Sequence, residues 1–299
     1  MLVRLSHRVS VERARLPIIL VAPSMIVVFG VMVYPIMYAV WLSLFQSNPI
    51  LPGRPFVGLG NYVAMAHDPE FWHALGRTFY FVAVSLIVET IAGLAIAVVL
   101  NAEFVGRRLV RAIAIVPWAV PTIVNGLLWS WIYNPDYGAL NGLLKALGVI
   151  QNNVNWLGSP GLALNMVIIA DAWRETPFYV ILFLAGLQVI PQELYNAAAV
   201  DGATMWQTFA RITLPLLQPA LLLILILRTL ETFRVFSIIY ILTRGGPANG
   251  TMVLGYLAYQ QTFSFLNFGY GSAMSVAITA ATIVLTLFYL RALALRVEY

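Results

Sequence analysis

Seven charged residues stand inside or beside long apolar runs of this 299-residue chain: Glu89, Asp171, Arg174, Glu175, Arg228, Glu231 and Arg234. A charge at the centre of a membrane helix costs at least ~2.5 kcal/mol unless it is paired or wetted, so these side chains are expected to face inward. Asp171, Arg174 and Glu175 share one helical face by their spacing, and Arg228, Glu231 and Arg234 make a second ladder. Two chemistries fit. The ladders can close as internal salt bridges, with Glu89 and Arg234 reaching towards an interface. They can also wall a polar cavity for a sugar, where charged and amide groups serve hydroxyls and rings serve the apolar C–H faces. The other parts are present: Asn125, Trp129 and Tyr133 recur every four residues, Phe178 follows Glu175, and Thr232 and Phe236 follow Glu231. The candidate binding residues are therefore Asn125, Trp129, Asp171, Glu175, Phe178, Arg228, Glu231, Thr232 and Phe236. A Trp/Tyr stripe near a span end also makes an interfacial belt, so Trp129 and Tyr133 fit either role. Glu89, Asp171 and Glu175 would equally serve proton coupling in a secondary transporter. Enzyme chemistry has little to work with: there is no Cys, no H-E-x-x-H motif, and the three His (His7, His67, His73) have no partner at i+3 or i+4. No catalytic residue and no metal site is expected.

The elements that must position these side chains are membrane helices. Hydrophobic residues make up 61% of the chain and charged ones 10%, against about 25% charged in soluble domains. Long apolar runs alternate with short polar links, unlike the roughly ten-residue alternating segments of a membrane barrel. The pattern predicts an all-α integral membrane protein with six spans, at about 16–45, 78–100, 111–133, 163–189, 217–241 and 270–290. The first run is too long for the ~7–15-residue core of a signal peptide. Pro23, Pro35, Pro117, Pro121 and Pro177 fall inside spans and predict kinks, as packing irregularities or as the bends of a cavity. Ten basic residues (Arg4, Arg8, Arg13, Arg15, Arg107, Arg108, Arg111, Arg211, Arg291, Arg296) fall on one side and four (Arg54, Arg77, Lys145, Arg244) on the other. That bias puts both termini in the cytoplasm. The net charge of +5 is thus an orientation signal, and no nucleic-acid partner is expected. The expected layout is a basic segment at 1–15, one membrane domain at 16–290 and a tail at 291–299, with external links at 46–77, 134–162 and 242–269.

Between spans four and five the stretch NAAAVDGATMWQTFARITLPLLQP (196–219) breaks the apolar pattern. Pro191 to Val200 predicts a short alanine-rich helix, Asp201-Gly202 a turn, and Ala203 to Ile212 a second short helix. Met205, Phe209 and Ile212 recur at helical spacing as one apolar face, which Trp206 broadens. Composition and spacing alone fit a helix lying on the membrane surface as well as a docking element.

The order of residues resembles the signature of permease subunits of binding-protein-dependent ABC importers: E-A-A, three residues, Gly, nine residues, then I-x-L-P. Here Asn196-Ala197-Ala198 is followed by three residues and Gly202, and nine more lead to Ile212-Thr213-Leu214-Pro215. Asn196 departs from the pattern, keeping hydrogen-bonding capacity but losing the charge. The resemblance implies that 191–215 is a cytoplasmic coupling helix, with Asn196, Ala197, Ala198, Asp201, Gly202, Met205, Phe209, Ile212 and Pro215 as docking residues for an ATPase. Further strings resemble the carbohydrate, maltose/trehalose-type branch: PFVGLGNYVAM (55–65), DPEFWHAL (68–75), VPWAVPTIVNGLLWSWIY (116–133), LAGLQVIPQELYNAAAVDGA (184–203) and RGGPANGTMVLGYLAYQQTF (244–263). The resemblance implies a second homologous permease, two ATPase subunits and an extracytoplasmic sugar-binding protein as partners, in a bacterial cytoplasmic membrane. The substrate it implies is a sugar, such as the disaccharides trehalose or maltose, bound between spans three, four and five. No G-x-x-x-x-G-K-S/T phosphate loop occurs in the chain. No cofactor is therefore expected on it; the resemblance places ATP and Mg on the ATPase subunits.

Overall fold

The computed structural model describes residues 20–293. The segment 1–15, the start of the first span and the residues after 293 lie outside the described residues, and with them Arg4, Arg8, Arg13, Arg15 and Arg296 of the charge bias. In chain order the helices are α1 (Leu20–Leu42), α2 (Gly60–His67), α3 (Pro69–Asn101), α4 (Arg107–Ile115), α5 (Thr122–Ile132), α6 (Ala139–Ala146), α7 (Pro160–Val189), α8 (Gln192–Val200), α9 (Met205–Leu216), α10 (Gln218–Thr232), α11 (Ser237–Leu242), α12 (Leu254–Tyr259) and α13 (Phe268–Leu293). Among the described residues the only β pairing is an isolated antiparallel bridge between Phe45 and Phe56. By length and composition α1, α3 and α13 can each cross a membrane alone. Three bent pairs can do so if each counts as one span: α4 with α5 (96°), α7 with α8 (69°) and α9 with α10 (59°).

Proline sets most of these bends. Pro117 sits in the first residues of a 3₁₀ turn, Val116–Ala119, and Pro121 stands just before α5, so that α4 and α5 are separated. Ile190, forced towards extended backbone by Pro191, ends α7. Pro177 behaves differently and stays inside the 30 residues of α7. Two expected spans need correction. The stretch 111–133 is not one helix but turns nearly at right angles at its prolines. The stretch 217–241 is not continuous either: α10 stops at Thr232 and 233–236 form a non-helical break before α11. The break is where α12 approaches the chain. A Cβ on Gly255 would lie 2.6 Å from the Val235 carbonyl oxygen and 3.3 Å from that of Arg234. The second expected span, α3, also starts earlier than 78, because Asp68 caps it by accepting from Glu70 N–H at 2.9 Å and Pro69 opens its first turn.

The described chain divides into two compact units, 20–65 with 261–276, and 66–260 with 277–293. In the first, α1 exposes apolar side chains on every face and buries only Leu42. A helix apolar all round suits hydrocarbon. Its Phe29–Val33 turn is wound as a π-helix, just before Pro35 removes a backbone donor. Beyond α1, Asn61 donates to the carbonyls of Ser43 (2.7 Å) and Phe45 (3.0 Å), and Ser43 Oγ shares a 2.7 Å hydrogen bond with the Tyr62 hydroxyl. The G-N-Y string is thus a clamp on the chain that leaves α1.

In the second unit α3 and α7 pack along each other more extensively than any other pair. The buried face of α3 carries small or polar residues (Ala74, Thr78, Ser85, Glu89, Gly93 and Ala97) among the apolar Phe71, Phe81, Val82, Leu86 and Leu100. Small residues let membrane helices approach closely. At Gly93 a Cβ would run into that of the fully buried Tyr179 on α7. Gly93→Val is therefore expected to cost ~1–3 kcal/mol by overpacking. Thermal unfolding of the purified protein in detergent should show a lowered midpoint, and an unchanged one would contradict this close approach.

Candidate functional site

Arg228 on α10 is the hub of the charged residues. Its Nε donates to Glu89 Oε2 at 2.8 Å and its Nη2 to Glu89 Oε1 at 2.7 Å, a bidentate pair between α10 and α3. The same Nη2 donates to Asp171 on α7. Its Nη1 lies 3.8 Å from Glu175 Oε1 and 3.6 Å from Glu231 Oε2, beyond hydrogen-bond reach of both. Glu175 is paired instead with Arg174. Arg228, Glu89, Asp171 and Glu175 are all buried, whereas the Glu231 side chain is 59% exposed. Glu89 thus does not reach towards an interface: it is 0% exposed and paired with Arg228, which through Asp171 also joins α7 to α3 and α10.

Beside this hub lies a cavity of about 220 Å³, at the level where α10 breaks. Six of the nine expected binding residues line it: Asp171, Glu175, Arg228, Glu231, Thr232 and Phe236. Three do not. Asn125 is fully buried and donates to the Ala170 carbonyl at 3.0 Å, clamping α5 to α7. Trp129 packs on Tyr133 (5.0 Å between centroids) and edge-on to Trp173 (6.0 Å). Tyr133 is buried, and its hydroxyl donates to the Met166 carbonyl at 2.9 Å. Phe178 stands behind the wall, stacked on the lining residue Trp118 at 6.3 Å. Trp118 was not among the residues expected from sequence. Its setting between Pro117 and Pro121 was the available signal, since a helix broken there turns its side chains towards the bundle. Ser237 and Ile238 also line the cavity and carry no mark in the sequence.

The cavity offers the Glu231 carboxylate, 59% exposed and with its nearest cation at 3.6 Å, as an acceptor for ligand hydroxyls. Arg174 Nε is buried with no acceptor among the described residues and is closed to the cavity. Arg228 is occupied by carboxylates, and an anionic ligand would compete with Glu175 for Arg174.

The stretch between α7 and α10 folds as two short helices. Gly202 sits at φ +74°, Ala203 N–H reaches the Ala198 carbonyl (2.9 Å) and Gly202 N–H that of Ala199 (3.2 Å). This is a glycine-capped helix end in the Schellman pattern. Thr204 then opens α9 with a capping box: Gln207 N–H donates to Thr204 Oγ1 (3.3 Å) and Thr204 N–H to Gln207 Oε1 (2.8 Å). The single apolar face expected over Met205, Phe209 and Ile212 is divided. Met205 and Trp206 are 91% and 73% exposed, while Phe209 and Ile212 are half-buried, because Phe209–Thr213 winds as a π-helix. Behind α8 and α9 a groove of about 490 Å³ opens, walled by Val98, Leu187, Tyr195, Met205 and Phe209 among others. Asn196, Ala197, Asp201 and Pro215 are exposed, and Ala198 is buried.

Residues 89–298 match the family model described as the binding-protein-dependent transport system inner membrane component. Over 287 residues the chain is 43% identical to the trehalose/maltose transport system permease protein MalF of Thermococcus litoralis, with 96% of each covered. Over 279 residues it is 37% identical to the trehalose transport system permease protein SugA of Mycobacterium tuberculosis, covering 93% of this chain and 88% of that one. Its fold matches a chain in a crystal structure of bacterial alginate ABC transporter in complex with alginate pentasaccharide-bound periplasmic protein, with a TM-score of 0.80, 24% identity and 94% of each chain covered.

Proposed function

This chain belongs to the family of inner membrane components of binding-protein-dependent transport systems, and from that premise we propose that it is a permease subunit of an ATP-driven sugar importer. The substrate is a neutral sugar, and the names of the trehalose and maltose relatives favour a disaccharide. The observation that carries the reading is the polar cavity at the break in α10, which gathers charged, hydroxyl and aromatic side chains from α7, α10 and the break itself. Broken helices are where membrane transporters place their sites, because backbone freed by the break is tolerated when it lines a cavity. In this reading residues 16–290 form the transport domain with six spans and both termini in the cytoplasm, flanked by the segment 1–15 and the tail 291–299. α8, the Gly202 turn and α9 form the coupling element, whose exposed Met205 and Trp206 enter a groove of an ATPase subunit. A second permease completes the pathway, and an extracytoplasmic binding protein delivers the sugar. This subunit catalyses no reaction of its own; ATP and Mg belong to the ATPase chains. The family leaves no role for the ion-coupled alternative.

Affinity purification from the native membrane in mild detergent tests the assembly. A second permease and an ATPase bearing a phosphate loop are expected to co-purify. Recovery of the chain alone, or only with copies of itself, would contradict the importer reading.

A further inference from the structure

We propose that the polar cavity is one half of a two-ring sugar site, and that its other half is an aromatic wall running from Phe236 to Tyr240. The proposal rests on reading the cavity as the sugar site. The cavity measures about 220 Å³ and is partly open, smaller than the ~300–1,000 Å³ of pockets that enclose a drug-sized ligand. One sugar ring fits this size, and the second ring of a disaccharide would extend through the open side.

The aromatic surface that continues from the cavity starts at Phe236, itself on the lining. Phe236 lies 4.5 Å from Tyr259, 5.5 Å from Tyr240 and 6.0 Å from Tyr256, centroid to centroid. Tyr240 in turn lies 5.7 Å from Tyr259 and 6.4 Å from Tyr256. The four rings form one cluster between α11, α12 and the break. Their exposure separates the roles: Tyr256 is 7% exposed and Tyr240 is 39% exposed. Tyr256 supports the wall, and Tyr240 presents surface. The support is fixed from behind. Leu254 N–H donates to Thr78 Oγ1 at 2.8 Å, fastening α12 to α3, and Gly255 lets α12 sit against the Val235 carbonyl. A ring held this way costs little entropy when a ligand stacks on it. The apolar C–H face of a pyranose is the surface that an aromatic face takes, while its hydroxyl edges take the polar cavity. Tyr240 is thereby the residue that favours a two-ring substrate over a single ring. Trp118, the other exposed ring at the cavity, lies on the lining and is backed by Phe178.

The test is uptake of radiolabelled trehalose, maltose and glucose by cells carrying the complete transporter and its binding protein. Tyr240→Ala is expected to lower disaccharide uptake about tenfold, with the complex still recovered, and Tyr240→Phe to restore it. Glu175→Gln serves as the control on the cavity. If Glu175→Gln loses uptake while Tyr240→Ala keeps it, the wall is refuted and the cavity stands. If both keep wild-type uptake, the cavity reading falls as well. Loss in Trp118→Ala with none in Tyr240→Ala, or wild-type import of glucose as fast as of the disaccharides, would also overturn the proposal. Failure of Tyr240→Ala to assemble with the second permease would assign Tyr240 to that interface instead.

Discussion

Replacing Arg228 with leucine is expected to cost about 3–5 kcal/mol, because it removes the cation of a buried ion-pair cluster and leaves Glu89 and Asp171 unpaired. Glu89 would lose both of its 2.7–2.8 Å donors, and Asp171 its donor, with no water-filled side to turn to for a carboxylate that is 0% exposed. Against total stabilities of ~5–15 kcal/mol, that removes between about a fifth and the whole of the margin. Thermal unfolding in detergent should show a strongly lowered midpoint, and size-exclusion chromatography of the extracts a smaller monodisperse peak. Arg228→Lys should recover it only in part, since an ammonium cannot span Glu89 bidentately. A triple variant with Glu89→Leu and Asp171→Leu beside Arg228→Leu should recover more, because a buried ionic cluster replaced whole by apolar groups is tolerated. A single Arg228→Leu protein with wild-type yield and melting would show that the hub is not what joins α3, α7 and α10.

The second large effect concerns Gly202. At φ +74° it occupies backbone that β-branched residues rarely adopt, and no atom crowds its Cβ position. Gly202→Val is therefore a test of backbone alone. Straining or reopening the turn costs ~1–3 kcal/mol, and it changes the angle between α8 and α9 without touching the membrane core. ATP hydrolysis by the assembled complex is expected to persist while sugar uptake falls roughly 5- to 150-fold, each 1.4 kcal/mol being a factor of ten. Gly202→Asn, which tolerates the left-handed region, should retain most uptake. Normal coupling in Gly202→Val would count against a rigid two-helix joint.

What was legible in the sequence follows the physics of each feature. Membrane helices announce themselves by composition, and Gly202 and the signature around it announce a turn of fixed length. The ladder at Asp171, Arg174 and Glu175 could be assigned to one face because helical spacing is local. The partner of Arg228 could not, because Glu89 lies 139 residues away and only packing brings α3 to α10. The same limit hid the break at 233–236. Nothing in F-R-V-F forbids a helix; it is Gly255, on a later element, that makes room for α12 against that backbone. Asn125 and Trp129 had the residue types and spacing for a site; in the folded chain Asn125 donates to the Ala170 carbonyl and Trp129 packs against Tyr133 and Trp173, off the cavity lining. Prolines predicted where helices bend but not by how much: Pro177 leaves α7 continuous, whereas Pro117 and Pro121 accompany a turn of 96°.

The separation between Glu89 and Arg228 also dictates an order of events during biosynthesis. A ribosome adding ~5–20 residues per second needs roughly 7 to 28 s to make the 139 residues between them. Through that interval the helix bearing Glu89 has been synthesised and its cation has not. Asp171 joins it, also waiting, 57 residues before Arg228 emerges. Released singly into lipid, each early helix would carry a carboxylate costing at least ~2.5 kcal/mol until α10 arrives. Assembly of these helices is in that sense collective, because the pairing that offsets the cost exists only once α10 has been made.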